Sequence, residues 1–400
     1  MKHILLFLIF STSLLLSSCK KEEVRFATSP LHVVNSQSSM AKGTMDNGVI
    51  FLSINPLSWK LMRLSSEGSV DFSIELIQLK QQFPDLSLQC FTPTPDGGCV
   101  IGAEYYLDTA TYYKSAGLLI KFDPSGQQSW ISTYDTFQVA GSRRLDDITV
   151  GIDGNLIVVE KNSTSSSEYR LLRFSDSGSL QHNSKLNLNA SCKKILSLPE
   201  GDLILLTDNE FISELTRVDS LGNIIWTSSL SESDPYDNII TSPTDVAVNS
   251  SGKVLVSGFT NSWNGEDNKN FDFFLLTIDA SGVVLDSITW EGYANEYCQA
   301  CRISQDGSVY LIGTTCSLPA NIAFGESLFD LTSLARCYLL KLDPTLRLSW
   351  KKTFGNSYGS EGIIVTERAD GKLLVCGNQI GFGNKNEINL FSQIILPNGE

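Results

Sequence analysis

The chain has 400 residues, a formal net charge of −14, 42% hydrophobic residues and 18% charged residues. This composition is typical of a globular protein rather than a disordered one, and the length suits one large domain or two ordinary ones. The acidic charge argues against nucleic-acid binding, which needs a basic surface. The sequence also has no basic amphipathic helix that would bind anionic lipid.

The N-terminus has the pattern of a targeting segment. Lys2 precedes an apolar run from Ile4 to Leu16. This run is too short to cross about 30 Å of hydrocarbon as a helix. We therefore predict that residues 1–18 form a signal peptide.

The end of that segment, "LLSSC", resembles a bacterial lipobox, in which the cysteine is lipidated and becomes the first mature residue. The lipidated residue would be Cys19, with residues 19–28 as a tether. The following "KKEE", Lys20–Glu23, resembles the export signal of surface-exposed lipoproteins of some Gram-negative bacteria. The alternative for these four residues is a solvated tether. The two resemblances imply a bacterial outer membrane lipoprotein that contacts the membrane only through its lipid anchor. It would either face the periplasm or be exposed at the cell surface.

Two phrases alternate along the rest of the chain, seven times each. One is an apolar run, a turn with Asp or Ser and then Gly, and a second run that often holds Trp, as in "LLIKFDPSGQQSW". The other is an alternating run around a tight turn, as in "SQDGSVYLIG". Both are typical of β-hairpins, in which Gly accepts a positive φ. In the first phrase we expect Asp123 to cap the turn and Gly126 to supply the positive φ.

Two hairpins make a four-stranded sheet, and a unit of about 50 residues is typical of a propeller blade. We therefore predict an all-β fold: a seven-bladed β-propeller of four-stranded antiparallel blades over residues 29–400. The ambiguous segment Ser73–Phe83 is interpreted mostly as strand and loop. The predicted blades span roughly 44–78, 87–137, 146–188, 192–230, 243–290, 298–353 and 362–400.

The last predicted blade lacks its outermost strand, because the chain stops just after the turn at Asn398-Gly399. The segment Ser29–Gln37, "SPLHVVNSQ", precedes the first hairpin and is free to supply that strand. We predict that it does so and closes the ring, which removes an open sheet edge.

The repeated phrases also resemble the tandem repeat of secreted bacterial propellers, whose consensus is roughly "liKlD.nG...W.ktfGg...DGg.lvaG". The resemblance covers most of residues 40–400, although blades three and four are degenerate and Leu346 replaces the turn glycine. The Asp-x-x-Gly and Trp pattern is similar to quinone-dependent dehydrogenase propellers too, but their cofactor-binding residues are not found. The resemblance implies the fold and a secreted location and no single activity. The matching residues are Lys341, Asp343, Trp350, Phe354, Gly355, Asp370, Gly371 and Gly377.

The two faces of such a propeller differ in loop length. All turns inside the hairpins are short, and they share one face, called here the tight-turn face. The links between second and third strands and between blades are long, for example "EYYLDTATYYKSA" and "SLPANIAFGESLFDLTSLAR". They share the opposite face, called here the long-loop face. Long loops in compact domains are usually functional or disordered, so we expect any ligand to bind there.

Aromatic and polar residues in these links are the first candidates for ligand binding. Flat amphipathic rings provide contact area for a glycan or a protein at low entropic cost. The alternative is that the rings pack the loops onto one another. The candidates are Tyr105, Tyr106, Tyr112, Tyr113, Trp263 and Asp267.

Acidic residues recur near the start of the first strands, close to the predicted channel. They offer oxygen ligands for Ca²⁺ or simply carry charge at a wet channel mouth. Two of them, Glu296 and Glu361, are also candidates for ligand binding, and they would be the carboxylates of a glycosidase-like enzyme. The full set is Asp146, Asp147, Asp245, Glu296 and Glu361.

Four cysteines fall in blade six. We predict a disulfide among Cys298, Cys316 and Cys337, because an exported protein permits one and the three strand ends meet on the long-loop face. Counting from the turn at Asp306-Gly307 places residue 298 opposite 315. A Zn²⁺ site that includes Cys301 is the alternative. The remaining cysteines, Cys90, Cys99, Cys192 and Cys376, are typical of small core residues.

Catalysis has little support in the sequence, since no nucleophile elbow, phosphate loop or zinc-protease helix is present. Its mature histidines, His32 and His182, are predicted on outer strands. We expect a monomeric, exported, lipid-anchored binding or scaffold module without a cofactor, with a glycan or an envelope protein as ligand. The alternatives are a polysaccharide-active enzyme that uses channel carboxylates and a structural member of an envelope complex.

Overall fold

The computed structural model describes most of the chain from residue 31 onward. The described residues are 31–34, 38–54, 59–107, 114–134, 143–162, 168–209, 212–232, 241–249, 251–261, 270–290, 292, 295–316, 335–355, 359–381 and 384–399. In this part of the chain no helix is long and apolar enough to span a bilayer.

The described strands form seven separate four-stranded antiparallel sheets. Blade one holds β2 (Ser38–Gly43), β3 (Val49–Ile54), β4 (Trp59–Leu64) and β5 (Val70–Glu75). Blade two holds β6 (Leu86–Pro93), β7 (Cys99–Leu107), β8 (Lys114–Phe122) and β9 (Gln128–Tyr134). Blade three holds β10 (Arg143–Val150), β11 (Leu156–Asn162), β12 (Glu168–Phe174) and β13 (Leu180–Leu186). Blade four holds β14 (Ser191–Ser197), β15 (Leu203–Asp208), β16 (Ile212–Val218) and β17 (Ile224–Glu232).

The other three blades follow the same plan. Blade five holds β18 (Thr241–Val248), β19 (Val254–Thr260), β20 (Asp272–Ile278) and β21 (Val284–Trp290). Blade six holds β22 (Glu296–Ile303), β23 (Val309–Thr315), β24 (Arg336–Leu342) and β25 (Leu348–Phe354). Blade seven holds β26 (Ser360–Glu367), β27 (Leu373–Gly381), β28 (Asn384–Ile395) and β1 (Leu31–Val34).

The hydrophobic core is divided among the seven interfaces between neighbouring blades. Each interface holds one cluster of buried side chains from two consecutive blades. The second strand of each blade is buried on both faces of the sheet. Its sequence is therefore a continuous apolar run, such as "VLVSG" in β19 and "VYLIG" in β23. The core therefore forms a ring around the axis.

The N-terminal strand closes this ring, as predicted. β1 pairs antiparallel with β28, with Leu31 opposite Leu390 and Val34 opposite Glu387. One boundary differs from the prediction, because the first strand of blade one already begins at Ser38 rather than at residue 44.

A short helix is the main local difference from the sequence interpretation. The sequence predicts mostly strand and loop for Ser73–Phe83, but α1 spans Ile77–Gln82 within this segment. Leu76 and Leu79 lie three positions apart, which places them on one side of the turn. Both are buried in the cluster between blades one and two, and this burial stabilises the helical turn.

The first strands of six blades carry a β-bulge at the equivalent position, and β2 runs without one. A bulge re-aims the neighbouring side chains and shifts the register by one residue. Together with a turn centred on Asp306, this explains why Cys298 lies opposite Gly313 and not opposite 315.

The turn between third and fourth strands has the expected chemistry. Asp123 Oδ1 accepts hydrogen bonds from the backbone N–H groups of Ser125 and Gln127, at 2.8 and 2.9 Å. Gly126 has a φ of 83°. Leu346, which replaces the glycine in blade six, adopts the same region with a φ of 64°. This repeated sequence therefore forms a turn, and its Asp side chain accepts hydrogen bonds from the backbone of that turn.

The Trp of this phrase links neighbouring blades. A Cβ atom at Gly282 of blade five would lie only 2.7 Å from Trp226 of blade four. The Trp226 indole Nε1 also donates to the carbonyl of Ala280, at 2.9 Å. Trp130 covers Gly178 in the same way. The turn glycine is thus needed twice, for its positive φ and for the space that the ring of the preceding blade occupies.

Candidate functional site

The first strands of neighbouring blades contact one another around the ring, so they line the axis. Carboxylates on these strands join blades. Asp147 of blade three lies 2.7 Å from the Lys42 ammonium of blade one and accepts from the backbone N–H of Ile195 in blade four, at 2.9 Å. Its side chain is only 6% exposed. Asp147 therefore connects three blades.

Asp245 of blade five has the same role two blades further along the ring. Lys194 of blade four lies 2.9 Å from it and Arg302 of blade six lies 3.3 Å from it. The backbone N–H of Cys301 also donates to it, at 3.1 Å. Burial alone would raise the pKa of Asp245, but the two cations outweigh burial, and its pKa is lowered.

Asp146, at the bulge, has the opposite electrostatic balance. Burial raises its pKa above the ordinary value, although Arg144 and the N–H of Cys192 favour the charged form. Cys192 N–H donates to Asp146 Oδ2 at 2.8 Å. These three aspartates thus hold blades together. In the described part of the chain, no three His, Cys, Asp or Glu side chains are grouped in a way that suits a metal ion.

The two glutamates of the predicted site lie in different environments. Glu296, at the start of β22, is 1% exposed and accepts a hydrogen bond from the Thr315 hydroxyl at 2.8 Å. Glu361, at the start of β26, is exposed. Both charges raise the pKa of the Cys316 thiol, after burial as the main cause. The glutamates therefore both lie near Cys316, at the long-loop end of blades six and seven.

A second buried carboxylate lies near Glu296. Asp272 at the start of β20 is fully buried and accepts from the N–H of Gly292, at 3.0 Å. A Cβ atom at Gly292 would collide with the Glu296 carboxylate, so this glycine lies against both acids. Burial, with Glu296 and Asp272 adding to it, raises the pKa of Tyr338 to about 12.

Three half-buried aromatic rings cross the interface of blades five and six at the long-loop face. We call Phe259, Phe271 and Tyr297 the aromatic shelf. Phe259 lies 5.4 Å from Phe271 and 5.1 Å from Tyr297 between ring centroids, and Phe271 lies 5.5 Å from Tyr297. The first two pairs meet edge to face, a favourable arrangement for aromatic rings. The shelf presents fixed rings next to the carboxylates.

Asn295 fixes the backbone at the base of the shelf. Its side-chain oxygen accepts from the N–H of Phe271 at 2.9 Å, and its carbonyl accepts from the N–H of Cys316 at 2.9 Å. The next N–H, that of Glu296, donates to the carbonyl of Phe271 at 2.7 Å. Hydrogen bonds therefore join the ends of three links, at Phe271, Asn295 and Cys316.

Sequence inspection missed the shelf because its residues lie at strand ends rather than inside the links. The available signal was the set of aromatic residues that flank the link of blade five, in "GFTNSW" and "NFDFF". Trp263 and Asp267 belong to that link and lie outside the described residues, as do Tyr112, Tyr113 and Cys19.

The two described tyrosines of the predicted site lie on the long-loop end of β7, and both have intramolecular partners. Tyr105 packs edge to face on Phe83, with 5.1 Å between ring centroids. The Tyr106 hydroxyl donates to Glu104 at 3.2 Å. The Tyr105 contact agrees with the alternative, in which the rings pack the loops together, whereas the Tyr106 bond stays within β7.

The predicted disulfide of blade six is not formed, since Cys298, Cys316 and Cys337 are free thiols. Cys298 packs in the cluster between blades five and six, whereas Cys337 packs in the cluster between blades six and seven. The two thiols therefore lie on opposite faces of one sheet, where a bridge cannot join them. Cys90, Cys99, Cys192 and Cys376 are buried, as expected for core residues.

Cys316 is the only half-buried thiol among the described cysteines. We expect a small alkylating reagent to modify it first in the native protein and the others only after unfolding. Because its pKa is raised, its reaction should be slower at pH 8 than that of an unperturbed cysteine and should keep accelerating above pH 9. Mass spectrometry of labelled peptides measures both effects. Detection of a Cys298–Cys337 peptide would contradict this account.

No protein-family model matches the chain, and no curated protein matches it in sequence. Solved structures do resemble it. A catalytically inactive histidine-to-alanine variant of virginiamycin B lyase from Staphylococcus aureus, with quinupristin, has a TM-score of 0.52 at 12% identity over 92% of this chain and 99% of that one.

Two further structures show the same likeness with different described roles. The polysaccharide lyase Uly1 has a TM-score of 0.51 at 14% identity, covering 90% of this chain and 89% of its own. The WD40 domain of Neurospora crassa Pan2 has a TM-score of 0.52 at 8% identity, covering 89% of each chain. At these identities the likeness shows the fold alone: the chain is a seven-bladed β-propeller, similar in architecture to lyases and to a WD40 domain.

Proposed function

We propose that the protein is an exported, lipid-anchored binding module that recognises a glycan on its long-loop face. In this proposal Cys19 carries the lipid, and the propeller lies outside the cell at the outer membrane surface. The observation that supports binding most directly is the aromatic shelf. Its three half-buried rings are held in fixed mutual geometry, and Tyr297 lies close enough to Glu296 and Cys316 for their charges to raise its pKa, after burial as the main cause.

The distribution of charge around the axis also favours binding over catalysis. Asp147 and Asp245 are already paired with Lys42, Lys194 and Arg302. A carboxylate that is ion-paired between two blades is not available to transfer protons to a substrate. His182 lies on β13, a fourth strand, and His32 lies on the fourth strand β1, so both are at the perimeter.

Binding is tested with a glycan array and then with affinity measurements on the polysaccharide that the array identifies. We expect Tyr297→Ala to weaken binding about 30-fold, the effect of losing about 2 kcal/mol at a hot spot. Met45→Ala is the matched control, because Met45 is 78% exposed on the tight-turn face. Equal affinity of the two variants would reject the shelf as the binding surface. If the protein binds an envelope protein and no glycan, the ligand is a protein and the glycan proposal is wrong.

The second candidate function is a polysaccharide-active enzyme. It is favoured by the two buried acids Glu296 and Asp272, which meet at Gly292 near Tyr338. The test is chromatography of the polysaccharide after incubation with the protein. Shortened chains that no longer form with Glu296→Gln or Glu361→Gln would establish the enzyme. Recovery of the polysaccharide at full length supports the binding module.

A further inference from the structure

The exposed apolar side chains are distributed unequally between the two faces. Among the described residues, Ile77 and Ile212 are the only large exposed hydrophobic side chains at the long-loop end. All the others lie in or beside the hairpin turns at the tight-turn end. They are Met45, Val70, Ile152, Leu180, Leu221, Ile224, Ile225, Val283, Val284, Leu285, Leu348 and Ile394.

The densest part of this surface lies on blades four and five. Leu221 and Ile225 of blade four are 54% and 51% exposed, and Val283 and Leu285 of blade five are 56% and 50% exposed. The two hairpins lie side by side, because Trp226 of blade four covers the turn of blade five. These residues therefore lie on neighbouring hairpins at the tight-turn end, and a group of exposed apolar side chains of this kind marks an interaction site. We call it the blade four–five patch.

The direction of β1 shows where the chain enters the propeller. β28 runs from the long-loop face toward the tight-turn face, and β1 is antiparallel to it. β1 therefore runs from the tight-turn face toward the long-loop face, and its first residue, Leu31, is the one nearer the tight-turn face. Residues 20–30 separate this point from Cys19, a length that spans at most about 40 Å when extended.

The entry strand and the patch lie on different sides of the ring. β1 belongs to blade seven, whereas the patch belongs to blades four and five, on the far half of a seven-membered ring. A tether at one side and an apolar contact at the other would hold the disc flat against a surface. The N-terminal end of β1 is directed to the tight-turn face, the face that carries the patch.

We propose that the tight-turn face rests on the lipid bilayer, with the blade four–five patch at the interface and the long-loop face directed away from the membrane. This inference rests on the lipid anchor at Cys19 in the proposed function, and it gives the binding face its orientation. Side chains such as Leu285 and Val283 enter the boundary between head groups and acyl chains, as apolar faces of peripheral proteins do.

Charge distinguishes this contact from ordinary electrostatic membrane binding. The patch is flanked by Asp219 and Asp279, whose pKa values are lowered mainly by hydrogen bonds to Asn223 and Ser281, so both stay ionised at neutral pH. Anionic lipid therefore repels this face, and apolar contact has to hold it. We expect the oriented contact on phosphatidylcholine vesicles and a weaker one when anionic lipid is added.

The test uses the full-length lipidated protein, reconstituted in phosphatidylcholine vesicles that contain brominated acyl chains, which quench tryptophan fluorescence at short range. Val283→Trp adds an indole in the patch, and Ile77→Trp adds one at an exposed position of the opposite face, as a matched control. After subtraction of the parent signal, we expect the bromolipid to remove about half or more of the Val283→Trp emission and little of the Ile77→Trp emission, since a docked apolar face lies within 5–10 Å of the acyl boundary.

Two further measurements separate the possible failures. Equal quenching of the two variants, or stronger quenching at Ile77→Trp, would overturn the orientation. So would quenching at Val283→Trp that persists unchanged when Leu221 and Leu285 are replaced by serine. The mass of the N-terminal peptide reports acylation of Cys19 independently, so a missing lipid would refute the anchor of the proposed function rather than the apolar contact. Binding of the patch to a protein instead of to vesicles would also overturn the proposal.

Discussion

Replacing Asp245 with alanine is expected to lower the free energy of unfolding by about 3 kcal/mol, because one buried carboxylate balances cations from two neighbouring blades. Asp245 is 1% exposed, and its loss leaves Lys194 and Arg302 without their shared partner. Both cations are partly exposed, which keeps the cost at the lower end of the range for broken buried pairs. Chemical denaturation measures it.

Asp286→Ala is the matched control for this substitution, since Asp286 is an exposed aspartate of the same blade. We expect it to change the free energy of unfolding by no more than about 0.5 kcal/mol. If the two variants lose the same stability, Asp245 does not connect the blades as described.

The pH dependence of Asp245 and Asp146 should have opposite signs. The pKa of Asp245 is lowered on folding, so its contribution is complete above the unfolded pKa near 4 and is lost as the pH falls further. The pKa of Asp146 is raised, so its contribution is present at acid pH and is lost as the pH rises through the folded pKa. Relative to wild type, Asp146→Asn should therefore become more stable as the pH rises from 4 to 7.

Replacing Gly282 with alanine is expected to cost about 3 kcal/mol. About 1 kcal/mol arises from the positive φ, and about 2 kcal/mol arises from overpacking against Trp226. Gly252→Ala separates the two causes, since Gly252 has a φ of 78° and open space around its Cα atom. It should cost only the conformational part, about 1 kcal/mol.

The double variant Gly282→Ala with Trp226→Ala completes the cycle. Without the indole, the Ser228 hydroxyl at 2.9 Å is the closest remaining neighbour of the added Cβ atom, so the cost of the alanine in that background should fall toward the value at Gly252 without reaching it. An unchanged cost in the absence of Trp226 would show that the ring and the glycine are not energetically coupled. The same logic applies to Trp130 and Gly178.

The blades could be predicted because local chemistry specifies them. Turn residues such as Asp123 and Gly126 act within one hairpin, and the missing fourth strand of blade seven left a single free candidate, the segment around Leu31. Even Leu346 with its positive φ follows from the turn, since the surrounding hairpin imposes the conformation on it. Repetition makes these signals visible many times.

The candidate site could be predicted only in outline, because it depends on register and on contacts between blades. Each bulge shifts the register of its strand by one residue, and the sequence of a single strand does not indicate a bulge. The predicted partner of Cys298, residue 315, is therefore wrong, and Gly313 lies opposite it. Likewise, Asp245 and Asp147 reach their partners across blade boundaries, and a list of acidic residues does not contain that information. The long-loop face follows from topology, whereas the shelf requires the structure.

The most direct test of the account is hydrogen–deuterium exchange of the protein with and without a bound ligand, resolved by peptide. We predict that the ligand slows exchange in the segments that hold Phe259, Phe271 and Asn295–Tyr297, while the turns at Asp219–Gly222 and Asp279–Gly282 exchange as before. Slower exchange in those turns, with no change around the aromatic shelf, would contradict the claim that the long-loop face binds the ligand.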